Sequence, residues 1–313
     1  MFRWLPGKRD QQLYAGLSIH SGGVAGALLR ALPDGGVGVE RVCWFALDFG
    51  DSPLERIPAV LKRLQVGRAP LTAVMAPQSY ALIQVEQPDL PASEQRDAFR
   101  WRIKDMVDFP VTDALIDSFS LPKSQRPGAP DLAYVVAAPR ERVEELANCL
   151  TKNGVDLRAI DVPELALRDL VRHTGTEGRV HAYLCLEPRQ ALIEISSDDE
   201  VYITRQIPLA ANLLDLDATE QLAQMEGLAL EVQRSLDYFE SQFASGSVDQ
   251  LMVLSASEKA ESSFIHSATA YLTVPVEALR MSEIQGRDSV DDKTFRQALM
   301  AIGAAIREMP CVA

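Results

Sequence analysis

The chain has 313 residues, 47% of them hydrophobic, with 31 lysines and arginines against 44 acidic residues and a net charge of −13. That much apolar material supports a packed core and excludes a disordered polyelectrolyte, and the negative charge excludes a nucleic acid or anionic membrane held by bulk electrostatics. No run approaches the ~20 consecutive apolar residues that cross a bilayer, and Met1 to Asp10 lacks the apolar h-region of a secretory signal. Cys43, Cys149, Cys185 and Cys311 stand too far apart for a zinc or redox pair. The expectation is a cytosolic protein of about two domains with reduced thiols.

After a tail over residues 1–10, Leu13–Ile19, Val24–Leu32 and Val37–Leu47 read as three strands of a meander, with turns at Gly22-Gly23 and Pro33-Asp34-Gly35-Gly36. The same order recurs at Val180–Glu187, Ala191–Ser196 and Val201–Leu209, with Tyr14 and Tyr183 in matching places. Two meanders, each followed by a helix, predict a chain of two similar halves. Between them lies a segment of different texture. Strand-like Leu71–Ala76 and Ala81–Gln87 precede a helix capped by Ser93, carrying Phe99, Ile103 and Val107 and ended by Pro110. Strand Leu132–Ala138 leads to a helix with Val143, Leu146, Ala147 and Leu150 on one face and Gly154 as its C-cap. This predicts a small inserted α+β module.

The longest helix is expected over Thr219–Phe243, where Leu222, Met225, Ala229, Val232, Leu236 and Phe239 form one stripe. A strand at Gln250–Leu254 follows, and a last helix sets Phe295, Ala298, Leu299, Ile302 and Ile306 on one side. Lys123–Pro130 and Glu283–Asp292 read as surface loops.

Gly16-Leu17-Ser18-Ile19 is followed by His20, not glycine, so no strained nucleophile elbow is encoded. Walker A and Rossmann glycine patterns are also absent from the sequence. His20, His173, His181 and His266 include no pair four residues apart, and the acids Asp198-Asp199-Glu200 fall in a hairpin turn without the alternate oxygen spacing of a calcium loop. No metal is expected.

Several stretches together resemble the actin-like pilus-assembly proteins of the PilM family, most closely the MSHA biogenesis (MshI) branch, over nearly the whole chain. They are Leu13–Ile19, Trp101–Pro110, Ala137–Gly154 with Ile160–Glu164, and above all Glu231-Val232-Gln233-Arg234-Ser235-Leu236-Asp237-Tyr238-Phe239-Glu240-Ser241-Gln242. The resemblance implies an α/β, actin-like (ribonuclease-H-like) two-lobed fold with a small α+β subdomain inserted in the first lobe. Residues 11–70 and 159–176 would form the first lobe, 71–158 the insert and 177–313 the second lobe.

Nucleotide-binding relatives hold a metal with an aspartate at the end of the first strand and another in the second half's first hairpin, and use glycines to admit phosphate. Here those positions resemble Ser18, His20, Cys185, Glu187, Ser255 and Ser257. A serine lacks the carboxylate charge magnesium prefers, and a Cβ blocks close backbone approach. The resemblance therefore implies a scaffold with no cofactor and no catalysis. It would sit at the periphery of the inner membrane and bind the cytosolic N-terminal segment of a PilN- or MshJ-like partner as an extended peptide. Trp101, Phe109 and Phe119 are the candidate groove residues, and Phe2, Trp4 and Leu5 offer a weak membrane contact. Two alternatives stay open: an active actin-like ATPase, and the cytoplasmic part of a GspL-like type II secretion protein.

Overall fold

The structure, a computed structural model, describes residues 12–48, 50–172, 178–197, 200–213, 215–243, 247–281 and 284–310. In chain order these form β1 (Leu13–His20), β2 (Gly23–Ala31), β3 (Val37–Ala46), α1 (Pro53–Leu64), β4 (Pro70–Val74) and β5 (Ala81–Glu86). There follow α2 (Ala92–Ile103), β6 (Ala114–Ser120), β7 (Leu132–Pro139), α3 (Arg140–Lys152), β8 (Asp156–Asp161) and α4 (Pro163–Val171). The remainder is β9 (His181–Leu186), β10 (Gln190–Ser197), β11 (Glu200–Pro208), α5 (Ala218–Phe243), β12 (Leu251–Ser255), α6 (Glu258–Ala268), β13 (Val276–Ala278), α7 (Asp292–Gln297) and α8 (Leu299–Ile306). They divide between two compact units, one drawn from Met1–Met75, Ala147–His173 and Met281–Ala313, the other from Ala76–Leu146 and Thr174–Arg280.

The expected duplication is present in the topology. The first unit's sheet has the order β3-β2-β1-β4-β8 and the second unit's large sheet β11-β10-β9-β12-β13, the same arrangement of an antiparallel meander followed by two parallel strands. The Pro33–Gly36 turn closes as its residues require: Gly35 lies at φ +84° and donates to the Leu32 carbonyl, while the Gly36 N–H donates to the Asp34 carboxylate.

α8 is the pivot of the first unit. Every residue from Leu299 to Ile306 is buried, as a helix that is apolar all round demands. It approaches β1 so closely that a Cβ on Gly16 would lie 1.9 Å from the Ala301 carbonyl oxygen. On α8 itself, a Cβ on Gly303 would lie 2.0 Å from the Ala166 carbonyl oxygen of α4. Only glycine fits at either contact. α1 turns Ile57, Val60, Leu61 and Leu64 inward and ends at Gln65, whose φ of 53° is left-handed.

In the second unit, α5 and α6 cover the large sheet. Met225, Ala229, Val232, Leu236 and Phe239 of α5 pack with Ala182, Leu184, Ile193 and Ile195. The small sheet, in the order β5-β7-β6, is buried on both faces. One face carries Val85, Ile116, Ala133, Val135 and Ala137 under Phe99 and Ile103 of α2. The other, with Leu82, Phe119, Leu121, Leu132 and Tyr134, joins the core of the large sheet. There the Thr204 N–H donates to the Tyr134 hydroxyl at 3.0 Å.

These placements differ from the expected boundaries. Strand 71–76 is β4 of the first unit's sheet, outside the insert, and β8, which the expected boundary after residue 158 divides in half, belongs whole to that sheet as its fifth strand. α7 and α8, expected in the second lobe, fall in the first unit. The small sheet belongs to the second unit, because its second apolar face is satisfied there. The terminal helix is two helices, and the second has no solvent face for the expected one-sided pattern to leave exposed. Helix α2 stops at Ile103, short of Pro110, and is preceded by Pro91 as its N-cap residue, not by Ser93.

Candidate functional site

In open α/β sheets ligands gather at the carboxyl ends of the parallel strands. In the first unit that row is set by register: Ser18 pairs with Val74, and Val74 with Asp161. Ser18 is fully buried and its Oγ lies 2.8 Å from His20 Nε2; the His20 ring also packs on Trp44, centroids 5.5 Å apart. Asp161, two strands away, is 5% exposed. Its Oδ1 accepts from the Val162 N–H at 2.8 Å and its Oδ2 from Arg307 Nη1 at 2.6 Å. Burial pushes this carboxyl above the ordinary range against the pull of the Arg307 guanidinium. Nearby, Thr72 donates to Glu308 Oε1 at 3.4 Å, and burial together with the Glu308 charge raises the Tyr14 hydroxyl. Arg307 and Glu308 directly follow α8, so the packing of that helix carries Arg307 to the end of β8 and Glu308 to the middle of β4.

In the second unit, Cys185, Glu187, Ser255 and Ser257 meet at the ends of β9 and β12, where Ser255 pairs with Leu186. Burial, reinforced by the Glu187 charge, holds the Cys185 thiol well above its usual range, which removes the thiolate a nucleophile or soft-metal ligand needs. The Glu187 carboxylate accepts from Gln190 Nε2 at 3.0 Å and its N–H donates to the Gln190 carbonyl at 2.9 Å, closing the hairpin on itself. Ser255 Oγ donates to the Leu186 carbonyl at 3.1 Å and accepts from the Ser257 N–H at 3.2 Å. Ser257 in turn caps α6, accepting from the Ala260 N–H at 3.3 Å. The N-cap amide of Ser257 and the α6 amide of Ala260 are thus engaged by the protein's own hydroxyls.

The three aromatic candidates part company. Trp101 is 70% exposed on the outer face of α2, with Lys104 Nζ 5.9 Å from its ring centroid. Phe109 packs against the Phe99–Ile103 cluster, and Phe119, partly buried, lies tilted against Tyr134 with ring centroids 5.4 Å apart. Phe2, Trp4, Leu5, His173, Asp198, Asp199 and Cys311 lie outside the described residues. Among the described residues no group of three or more His, Cys, Asp or Glu is placed to hold a metal ion, and no helix is long and apolar enough to cross a membrane.

The Asp161–Arg307 pair escaped the sequence reading. Its one local signal is an aspartate at a strand end directly before Val162-Pro163, the start of α4. Its partner lies 146 positions away.

No protein-family model matches the chain, and no curated protein matches it significantly in sequence. Solved structures do match in fold. A chain of a PilM–PilN type IV pilus biogenesis complex is 18% identical, with a TM-score of 0.72 over 96% of this chain and 98% of that one. The cytoplasmic domain of EpsL, an inner-membrane component of the Vibrio cholerae type II secretion system, is 12% identical, with a TM-score of 0.52 over 96% and 98%. A Bacteroides thetaiotaomicron protein of actin-like ATPase fold and unknown function is 8% identical, with a TM-score of 0.55 over 94% and 99%. The chain has the actin-like fold.

Proposed function

We propose that the protein is a non-catalytic, actin-like component of type IV pilus biogenesis, of the MSHA-like branch. It would work at the cytoplasmic periphery of the inner membrane by binding the cytosolic N-terminal segment of a PilN- or MshJ-like partner. The observation that carries this reading is the superposition, at a TM-score of 0.72 across 96% of the chain, on a chain of a PilM–PilN complex.

The residues at the strand ends do not fit a metal-bound triphosphate. Magnesium prefers carboxylate oxygens, and at the first position stands a serine whose hydroxyl is held by His20. The nearest carboxylate in the first unit's row, Asp161, is paired with Arg307. In the second unit the hydroxyls of Ser255 and Ser257 engage the Ser257 and Ala260 amides, and by the resemblance these serines would replace glycines that admit phosphate, each adding a Cβ. Nothing at these positions stabilises charge on a transferring phosphoryl group.

Trp101 is the one strongly exposed aromatic of the three proposed partner contacts; Phe109 and Phe119 would act by shaping apolar surface beneath a bound peptide. A second reading, a cytoplasmic component of type II secretion, is supported by the EpsL domain, at the lower TM-score of 0.52. Titration calorimetry of the full chain tests the preferred reading. The expected outcome is no heat with magnesium-ATP at millimolar concentration, and saturable binding of a synthetic peptide copying the cytosolic N-terminus of a PilN-like protein encoded beside it. Submillimolar magnesium-ATP binding with turnover would defeat the non-catalytic assignment, and absence of peptide binding the partner assignment.

A further inference from the structure

β6 is an edge strand, paired on one side only, with β7. The Leu121 N–H donates to the Leu132 carbonyl, in continuation of the register Ser120↔Ala133. In an antiparallel ladder the hydrogen-bonded pairs alternate, so Leu115, Asp117 and Phe119 turn their backbone groups toward β7, and Ala114, Ile116, Ser118 and Ser120 turn theirs outward. Pro139, opposite Ala114, agrees with this phase, since it has no N–H to give.

The two ends of the outward row are treated differently. At Ala114 both groups are used: its N–H donates to the Val111 carbonyl, and its carbonyl accepts from Arg100. Beyond it, among the described residues, the outward groups of Ile116 and Ser120 and the Ser118 carbonyl meet no protein partner. The Ser118 N–H is held at 2.9 Å by the carboxylate of its own neighbour, Asp117. Two other edge strands, β3 and β11, are engaged at some of their outward groups. β3 is bridged by Gln285, whose carbonyl accepts from the Val39 N–H and whose N–H donates to the Val37 carbonyl, and β11 gives the Thr204 N–H to Tyr134. An open row of this kind is a template for another strand.

Charge selects the occupant. Between Lys104 and Lys123 the chain carries Asp105, Asp108, Asp113 and Asp117 and no basic residue. A second copy of this chain would bring a like-charged edge against β6, which opposes self-pairing. A basic side chain opposite Asp117 would instead attract its carboxylate and release the Ser118 N–H to the incoming backbone.

We infer that the outer edge of β6, gated by Asp117, is a strand-addition site for an extended, lysine- or arginine-bearing segment of a partner chain. The identity of the occupant rests on the function proposed above: cytosolic flanks of membrane-spanning helices are rich in lysine and arginine. The edge itself does not depend on that reading.

Amide hydrogen exchange of the full chain over residues 114–121 tests it, with a ten-residue peptide alternating Lys and Val, a Glu/Val counterpart, and the partner-tail peptide. The Lys/Val peptide slows exchange of the Ile116 and Ser120 amides at least tenfold, and the Glu/Val peptide leaves it unchanged. Asp117→Lys reverses the preference. Ser120→Pro, which removes an outward N–H and spares the β7 ladder, abolishes the slowing while the melting transition stays in place. Slowing by neither peptide, or equally by both, overturns the inference. A partner tail that binds wild type and Ser120→Pro alike also overturns the β6 seat, yet leaves the assembly role standing. Slowing by Lys/Val without any binding of the tail sustains the edge and removes that occupant.

Discussion

Replacing Gly303 with alanine pits two physical effects of opposite sign against each other. In the interior of a helix, glycine to alanine stabilises by about 1 kcal/mol, because glycine loses more conformational freedom on folding. At Gly303 the new Cβ would stand 2.0 Å from the Ala166 carbonyl oxygen, 2.8 Å from its carbon and 3.3 Å from Leu170 Cβ. Ordinary contact begins near 3.4 Å, so α4 and α8 must separate by about 1.4 Å, and the obstacle is backbone that no rotamer change can move. α8 has no slack on its other side, where the Ala301 carbonyl meets Gly16 of β1. Overpacking of this kind costs about 1–3 kcal/mol and more where the backbone is rigid. Because the obstacle is backbone on both sides of α8, the upper end of that cost applies, and a net destabilisation of about 2 kcal/mol is expected once the helix-propensity gain is subtracted, lowering the melting temperature by about 2–4 °C per kcal/mol. The matched control is Gly227→Ala in α5, where nothing lies within 4 Å of the added Cβ; it should raise stability by roughly 0.5–1 kcal/mol. Urea denaturation of the two full-length variants beside wild type decides the matter. Should Gly303→Ala prove as stable as wild type, the wedged position of α8 is wrong.

Two further outcomes follow from buried groups. Arg307→Met removes the guanidinium from Asp161, leaving a carboxylate that is 5% exposed without its charge partner, and should cost about 1–3 kcal/mol given that Arg307 itself reaches solvent; Asp161→Asn added to it should restore part of the loss, and an additive double variant in denaturant titration would refute the coupling. His181 is 4% exposed, and burial, opposed by the Asp249 charge and aided by Arg179, sets its imidazole below the ordinary value of 6.5. The folded state thus binds fewer protons than the unfolded one: stability is complete above pH ~6.5 and declines as the pH falls from there through the depressed value. His181→Asn should flatten that decline in melting curves taken between pH 7.5 and 5, and an unchanged slope would show that other groups set it.

Much of the architecture was legible because it is local. Alternation and turn residues predicted both meanders to within a residue or two, and the Leu222–Phe239 stripe predicted α5 against the observed Ala218–Phe243. β6 was missed: Ala114–Ser120 alternates apolar and polar residues weakly, with Asp117 and Ser118 in its middle, and it is a strand because β7 pairs with it. The site positions Ser18, His20, Cys185, Glu187, Ser255 and Ser257 were named from the resemblance alone. Their hydrogen-bond partners Leu186, Gln190 and Ala260 lie near some of them in sequence, whereas Arg307, which neutralises Asp161, is invisible to any local reading.

Residue order by itself determined the strands and turns of both meanders and the apolar stripe of α5, and hence that the chain would be a duplicated α/β fold, since these depend on side chains within a few positions of one another. Only the tertiary structure decided that α8 returns to the first sheet, that the small sheet joins the second unit, that Asp161 meets Arg307, and that the edge of β6 stays open. The first three are settled by which apolar face or buried charge finds cover far along the chain, 70 residues for Tyr134 and Thr204 and 146 for Asp161 and Arg307, a competition that neighbouring side chains do not enter.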